Sequence, residues 1–203
     1  MFGRFDFGGD ILKTISIDVD GVLANFTKAF AAKLAEVGCQ TPPDFEPTDW
    51  NFGGSGATPE QLDAAWRLVD KTENFWRTLH VYPESVSSLH RWCDSDKAPV
   101  DLYYVTSRVP TEGATVKQQT EVWLSRCALP YGGVVVKPRG VTKMEIYKAL
   151  GIGWSVDDYP KNVRPTLGTG HRGYLLDRPW NQEATDLPRV KSLAEFLKLV
   201  QNG

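Results

Sequence analysis

The chain is poor in cysteine. Its three cysteines, Cys39, Cys93 and Cys127, are odd in number, far apart, and lack any Cys-x-x-Cys spacing. This speaks against a disulfide framework or a zinc site and for reduced thiols in a cytoplasmic protein. No stretch approaches the ~20 apolar residues of a membrane span, so no membrane partner is expected. The opening "MFGRFDFGGD" lacks the apolar centre of a secretory signal and reads as an N-terminal extension. Neither sign of charge dominates: 23 Lys and Arg stand against 25 Asp and Glu, a net charge of -2. A nucleic-acid coat or membrane-surface role is therefore disfavoured. Internal repeats and low-complexity tracts are absent. What is left is an ordinary globular composition, 41% hydrophobic and 24% charged over 203 residues. That suits one domain with an insertion, or one domain with a small companion.

Apolar, β-rich runs recur along the chain at 14–19, 100–106, 133–136, 153–156 and 173–176. Helical periods lie between and after them. "TVKQQTEVWLSRC" puts Val116, Thr120, Trp123, Leu124 and Cys127 on one face. "TKMEIYKALG" opens on a capping box of Thr142 and Glu145 and stops at Gly151, and "SLAEFLKLV" repeats the device with Ser192 and Glu195. Strands alternating with helices predict an α/β fold, a Rossmann-like parallel sheet covered on both faces. Residues 25–85 break the rhythm. They hold a helix through Phe26, Phe30, Leu34 and Val37, and a loop rich in Pro, Gly and Asp. A second helix follows, with Thr58 as N-cap, Pro59 at N1 and Gln61 at N3. The expected organisation is a core of residues 11–24 and 86–203, with a small helical cap at 25–85 inserted after the first strand.

"SIDVDGVLANF" ends the first strand with Asp18 and Asp20. At the two-residue period of a strand both point to the same side, where two carboxylates repel unless a cation joins them or one stays protonated. In parallel α/β sheets ligands bind beyond the carboxyl ends of the strands. The other strand ends carry Thr106-Ser107-Arg108 and Asp157-Asp158, with Lys137 and Lys143 between the third and fourth strands. Each piece alone is weak: Asp-x-Asp-Gly occurs in turns and calcium loops, Thr-Ser caps helices, and Asp-Asp often marks a turn. Lys143 at the first position of a helix faces the positive end of the dipole, a conflict that a nearby anion removes. The ordered set at successive strand ends is far more specific than its parts.

That set resembles the haloacid dehalogenase superfamily of phosphohydrolases, whose motifs run hhhhDxDG, hhhhT/S, a lysine, and hhhhDD or hhhhGDxxxD. Here they read "ISIDVDGV", "LYYVTS", Lys143 (or Lys137) and "GWSVDD". The resemblance implies that Asp18 is the nucleophile and forms an aspartyl-phosphate, with Asp20 as general acid and then base. It implies Mg²⁺ held by Asp18, the Asp20 backbone carbonyl and a motif-four carboxylate, Asp158 in preference to Asp157. Thr106 and Ser107 would donate to phosphoryl oxygens, and Lys143 would offset charge on nucleophile and phosphate. The segment at 25–85 stands where this superfamily places its C1 cap.

More specifically, "DVDGVLANF", "FWRTLHVYPES" and "YLLDRPWNQEATDLPRVKSLAEFL" resemble the 5′(3′)-deoxyribonucleotidase family. The resemblance makes Phe26, Trp50, Phe75 and Trp76 candidates for the base and sugar pocket; Ser107 and Arg108 are further substrate-binding candidates. The chain departs from the family pattern at Arg108, where proline is expected, and at Tyr159, where arginine often follows the double aspartate. The expectation is a Mg²⁺-dependent phosphatase of small nucleoside monophosphates, not a partner of polymeric nucleic acid, with a homodimer permitted. Alternatives are the same chemistry on another small phosphate ester or a polynucleotide 3′-phosphate, and a catalytically silent binding module.

Overall fold

The computed structural model describes residues 13–42, 45–94, 100–130 and 132–203. The expected N-terminal extension lies outside them. Six strands form one sheet: β1 (Lys13–Ile17), β4 (Val100–Thr106), β5 (Gly133–Val136), β6 (Trp154–Asp157), β7 (Arg172–Leu176) and β8 (Arg189–Val190). Their order is β5-β4-β1-β6-β7-β8 and every pair is parallel. The chain therefore builds outward from β1 in one direction and then in the other. The switch point falls at the carboxyl ends of β1, β4 and β6, where a crevice must open.

Alternation along the strands supplies two apolar faces. Ile15, Ile17, Leu102, Tyr104 and Val134 join the main core with the helices α3 (Pro83–Cys93), α4 (Val116–Arg126) and α7 (Leu193–Asn202). Tyr103, Val105 and Val135 face the other way, toward Met144, Ile146 and Tyr147 of α5 (Lys143–Ala149). A third cluster, Val163, Leu175, Ala184 and Leu187, lies around the short α6 (Pro160–Val163). The expected capping boxes at Thr142 and Thr58 are formed. Ser192 accepts from Glu195 N, while the Glu195 carboxylate reaches Lys191 N.

Two short antiparallel strands, β2 (Ala24–Asn25) and β3 (His80–Val81), tie together the ends of the excursion from the sheet. Between them lie α1 (Phe26–Glu36), α2 (Pro59–Lys71) and a 3-10 turn at Phe75–Arg77. Asn25 caps α1 by accepting from Lys28 N.

Strand β1 stops at Ile17, two residues short of its apolar run. Beyond it the chain folds into a tight loop in which Leu23 N and Ala24 N both donate to the Val19 carbonyl, at 2.8 and 2.7 Å. Helix α3 is an element the periodicity does not announce. Its buried face of Ser85, Val86, Ser88, Leu89 and Trp92 is half polar, and Pro83 starts it without a side-chain cap. Among the described residues no helix is long and apolar enough to cross a membrane.

Phe196 of α7 is fully buried and packs edge-on to Tyr174 of β7 at 6.0 Å. Phe196→Ala leaves a void there and is expected to lower unfolding stability by about 3–5 kcal/mol. Urea titration reads this; a loss below about 1 kcal/mol would mean that the helix collapses onto the gap.

Candidate active site

Three of the carboxylates identified in the sequence meet at the switch point. Asp18 follows β1 directly, and its backbone N–H donates to the Val156 carbonyl at 3.0 Å, carrying the pairing one residue past the strand. Asp157 closes β6 and Asp158 follows it. Oxygens of Asp18, Asp157 and Asp158 lie within 4.8 Å of one another, and all three residues are buried. The Lys143 ammonium, 1% exposed, sits between two of them, 2.9 Å from Asp18 Oδ1 and 2.7 Å from Asp157 Oδ2. Val19 N–H also donates to Asp18 Oδ1, at 2.8 Å, so Oδ2 is the oxygen these donors leave for the cavity. Lys137 lines the same cavity, but its ammonium donates to the Val141 carbonyl at 3.1 Å and, among the described residues, enters no carboxylate pair.

Asp157 and Asp158 differ in what holds them. Asp157 Oδ1 accepts from Tyr159 N–H and the Asn162 side chain, while Oδ2 takes Lys143, so both of its oxygens are engaged. Asp158 Oδ2 accepts from Trp180 Nε1 at 2.8 Å, and its Oδ1 is buried with no hydrogen-bond partner. An orphaned buried carboxylate oxygen is costly unless a ligand completes it. Gly21, in the left-handed region at φ +75, lets the loop pass Asp158; a Cβ there would stand 1.9 Å from Asp158 Oδ2.

Asp20 stands apart from this cluster. Arg108 grips it through two parallel bonds, Nε to Oδ2 and Nη2 to Oδ1, both 2.8 Å. Thr106 Oγ1 approaches Oδ2 at 3.4 Å. The two aspartates of "DVD" are thus each met by a cation of the protein, Lys143 for one and Arg108 for the other.

Above these groups opens a cavity of about 460 Å³. Its floor includes Asp18, Asp20, Thr106, Ser107 and Lys143. Phe26 forms part of the wall and stacks on Trp66 at 5.5 Å, with Trp76 at 5.7 Å. Trp50, 46% exposed, also lines the cavity and stacks face to face on Tyr159 at 3.9 Å. Phe75 does not line the cavity. It is buried behind the wall, edge-on to Phe26 and Trp76, where it backs those rings.

The comparisons with known proteins meet this geometry. From residue 12 to residue 202 the sequence matches the family model described as 5′ nucleotidase, deoxy (Pyrimidine), cytosolic type C protein. The chain belongs to this family. Membership makes it a phosphohydrolase of the haloacid dehalogenase type. No curated protein matches the sequence closely enough to count as a relative. Among solved structures the fold is similar to a haloacid dehalogenase-like hydrolase from Streptococcus pneumoniae, with TM-score 0.60 and 13% identity, covering 94% of this chain and 99% of that one. It is also similar to a HAD family hydrolase from Deinococcus radiodurans R1 with bound phosphate and sodium (TM-score 0.55, 14% identity, 89% and 91% covered). A third is an L-2-haloacid dehalogenase from Xanthobacter autotrophicus with chloropropionic acid covalently bound (TM-score 0.52, 14% identity, 94% and 98% covered). At these identities the likeness carries the fold alone.

Several residues that hold the site of this 5′-nucleotidase family member were not singled out by sequence reasoning. Trp180 supports the Asp158 side chain, Asn181 Nδ2 donates to the Asp158 carbonyl at 2.8 Å, and Asn162 supports Asp157. For Trp180 and Asn181 the signal was present in "DRPWN", a cluster of polar and aromatic residues at the carboxyl end of β7; Asn162 lies in the short α6 after the double aspartate. Tyr159 and Phe52 complete the wall. Phe52 holds the left-handed backbone at φ 60 while its ring packs on Phe30 at 4.2 Å. A loop of irregular backbone gives no periodic pattern from which that could be read.

Burial, followed by the Asp157 charge, pushes the Asp18 carboxyl up to about 8, against the opposing pull of Lys143. Burial and the same neighbouring carboxylates push Asp158 well above the usual range. Burial also works against the Lys143 ammonium, but Asp157 and Asp18 outweigh it and hold its pKa above the ordinary value. Three buried carboxylates with one ammonium among them leave room for further positive charge. The hard oxygen donors of Asp18 and Asp158, one of them orphaned, fit a divalent cation such as Mg²⁺.

The sign of the linkage follows. Asp18 rises from 3.8 to about 8, so the folded protein holds a proton that the unfolded chain releases. The resulting stability is complete below about 3.8 and is lost as pH climbs toward 8. A bound cation favours the ionised carboxylates and opposes that loss. Expected is a Tm that falls between about pH 5 and pH 8 without divalent cation, and a larger Mg²⁺-induced rise in Tm at the higher pH. Differential scanning fluorimetry reads both; equal Mg²⁺ shifts at the two pH values would exclude these carboxylates as ligands.

Proposed function

We propose that this chain is a Mg²⁺-dependent phosphatase of deoxynucleoside monophosphates, working through an aspartyl-phosphate on Asp18. The observation that carries the reading is the placement of Asp18, paired with Lys143, at the floor of an aromatic-walled cavity. Aromatic faces suit a planar base, since stacking contributes ~1–3 kcal/mol per base. Phe26, Trp66 and Trp76 supply such faces, with Trp50 and Tyr159 at a second side. The family's own description, a cytosolic deoxy-pyrimidine nucleotidase, supports the same substrate class and a cytoplasmic setting. The three free cysteines agree with the latter.

The chain's own groups divide the work. Asp18 attacks phosphorus as the leaving oxygen departs on the opposite side, and Asp20 gives that oxygen a proton. Asp20 then takes a proton from water as the water attacks the aspartyl-phosphate, so that inorganic phosphate leaves and Asp18 is restored. Thr106 and Ser107 donate to the phosphoryl oxygens. Lys143 balances charge on both Asp18 and the phosphoryl group, in a buried setting where that charge is worth most. Asp18, the Asp20 backbone carbonyl and Asp158 would hold Mg²⁺, which when bound neutralises phosphoryl charge and aligns the attack. Asp157, with both oxygens engaged, positions Lys143.

Phosphate release from a panel of deoxy- and ribonucleoside 5′- and 3′-monophosphates and sugar phosphates, with Mg²⁺ and with EDTA, tests the proposal. Expected is Mg²⁺-dependent release that is strongest on deoxynucleotides and abolished in Asp18→Asn. Best turnover of a sugar phosphate would move the wall aromatics to a structural role. Unchanged turnover by Asp18→Asn would mean that another group is the nucleophile.

Trp180→Phe removes the donor that orients Asp158 and is expected to weaken Mg²⁺ activation by about 10–100-fold. The Mg²⁺ concentration giving half-maximal turnover measures this, and an unchanged value would take Asp158 out of the metal set.

A further inference from the structure

Arg108 does something that the family pattern does not announce. It follows Thr106-Ser107, where the pattern has proline, and its side chain is fully buried. Its guanidinium binds both oxygens of Asp20 at 2.8 Å. Its remaining nitrogen, Nη1, donates to Thr120 Oγ1 at 3.0 Å, and that hydroxyl in turn donates to the Val116 carbonyl inside α4. The guanidinium lies over the Trp76 ring at 4.9 Å and the Trp123 ring at 5.7 Å. Trp76 and Trp123 are themselves held, through Nε1 to the Val109 and Leu79 carbonyls, both at 2.8 Å. The guanidinium is therefore held from outside Asp20 by α4, through Thr120, and by two rings anchored to the loop after β4 and the return from the excursion.

We propose that Arg108 is a positioning residue that fixes the plane of the Asp20 carboxyl for proton transfer to the leaving oxygen. This rests on the hydrolase reading above, in which Asp20 is the general acid. A carboxyl group offers about four lone-pair sites, and the fork takes one on each oxygen. The rest of the carboxyl is presented to the cavity in a single orientation. No new bond is made: Asp20 loses its proton to the departing oxygen as the P–O bond breaks, and Arg108 keeps all of its own protons. Only a planar bidentate donor defines that plane; an ammonium supplies charge without it.

The test compares Arg108→Gln, Arg108→Lys and Thr120→Val with the unaltered enzyme on two probes, glycerol phosphate and 4-nitrophenyl phosphate. It uses kcat/KM, which reports the step that expels the leaving group. The alkoxide needs the proton and the nitrophenolate scarcely does. Expected is a fall in the alkyl-to-aryl ratio of kcat/KM of about 10²-fold in Arg108→Gln. Arg108→Lys should not restore the ratio, and Thr120→Val should shift it in the same direction by less. Equal losses on both probes would overturn the proposal and make Arg108 a phosphate ligand or a packing residue, as would full restoration by lysine. If nucleotides are not hydrolysed but the two probes are, the substrate reading fails while the Arg108 comparison is still decided.

Discussion

The ammonium of Lys143, held 2.9 Å from Asp18 and 2.7 Å from Asp157, is the contact on which the arrangement of this site turns. The parallel pairing of β1 with β6 brings their carboxyl ends side by side, and both ends carry acidic residues. Two like charges about 4 Å apart cost ~4 kcal/mol at an effective dielectric near 20. The neutralising cation comes from the far side of the sheet order, at the first position of α5. An ammonium there opposes the helix dipole by ~0.3–1 kcal/mol, less than two short ion pairs return in a buried setting. The capping box of Thr142 and Glu145 starts the helix in the register that delivers the lysine. Sheet order, helix start and the placement of the Asp18 carboxylate are thus one constraint.

Asp20 belongs to a second system, and the separation has a chemical logic. In the proposed mechanism the nucleophile has to stay close to the metal and the lysine, whereas the acid-base group has to face the leaving oxygen. Beyond β1 the chain turns through a tight loop with Gly21 in the left-handed region, and Asp20 meets Arg108 instead of Lys143. Arg178 fastens the same turn from the other side, donating through Nε to the Gly21 carbonyl while its guanidinium lies 4.1 Å over Tyr82. The loop that carries Asp18 and Asp20 is therefore anchored to the end of β7 and to the residue after β3.

The aromatic residues of the excursion serve two ends at once. Phe30 is fully buried and gives α1 and α2 a core. The rings of Phe26, Trp66 and Trp76 show one side to that core and the other to the cavity. Trp50 reaches across to Tyr159, which follows the double aspartate directly. That stack joins the excursion to the carboxyl end of β6, and aromatic pairs of this kind contribute about 0.5–1.5 kcal/mol.

Much of this was legible before folding. Apolar, β-rich runs marked five of the six sheet strands, missing the two-residue β8, and Thr58, Thr142 and Ser192 marked helix starts, because caps and local composition are local properties. The order Asp18, Thr106, Lys143, Asp157-Asp158 identified the chemistry, because a parallel sheet delivers successive strand ends to one edge. The partners were not legible. Asp18 and Asp20 read as a pair sharing one side, yet they are answered by different cations. Phe75 and Trp76 are adjacent in sequence, yet only the second lines the cavity. Arg108, Trp180 and Asn181 act through contacts 22 to 88 residues away in the chain. The sequence by itself therefore determined the fold class, the family and the candidate groups at the strand ends. Only the tertiary structure decided which carboxylate meets which cation, because ion pairing depends on distances between segments that no local pattern encodes.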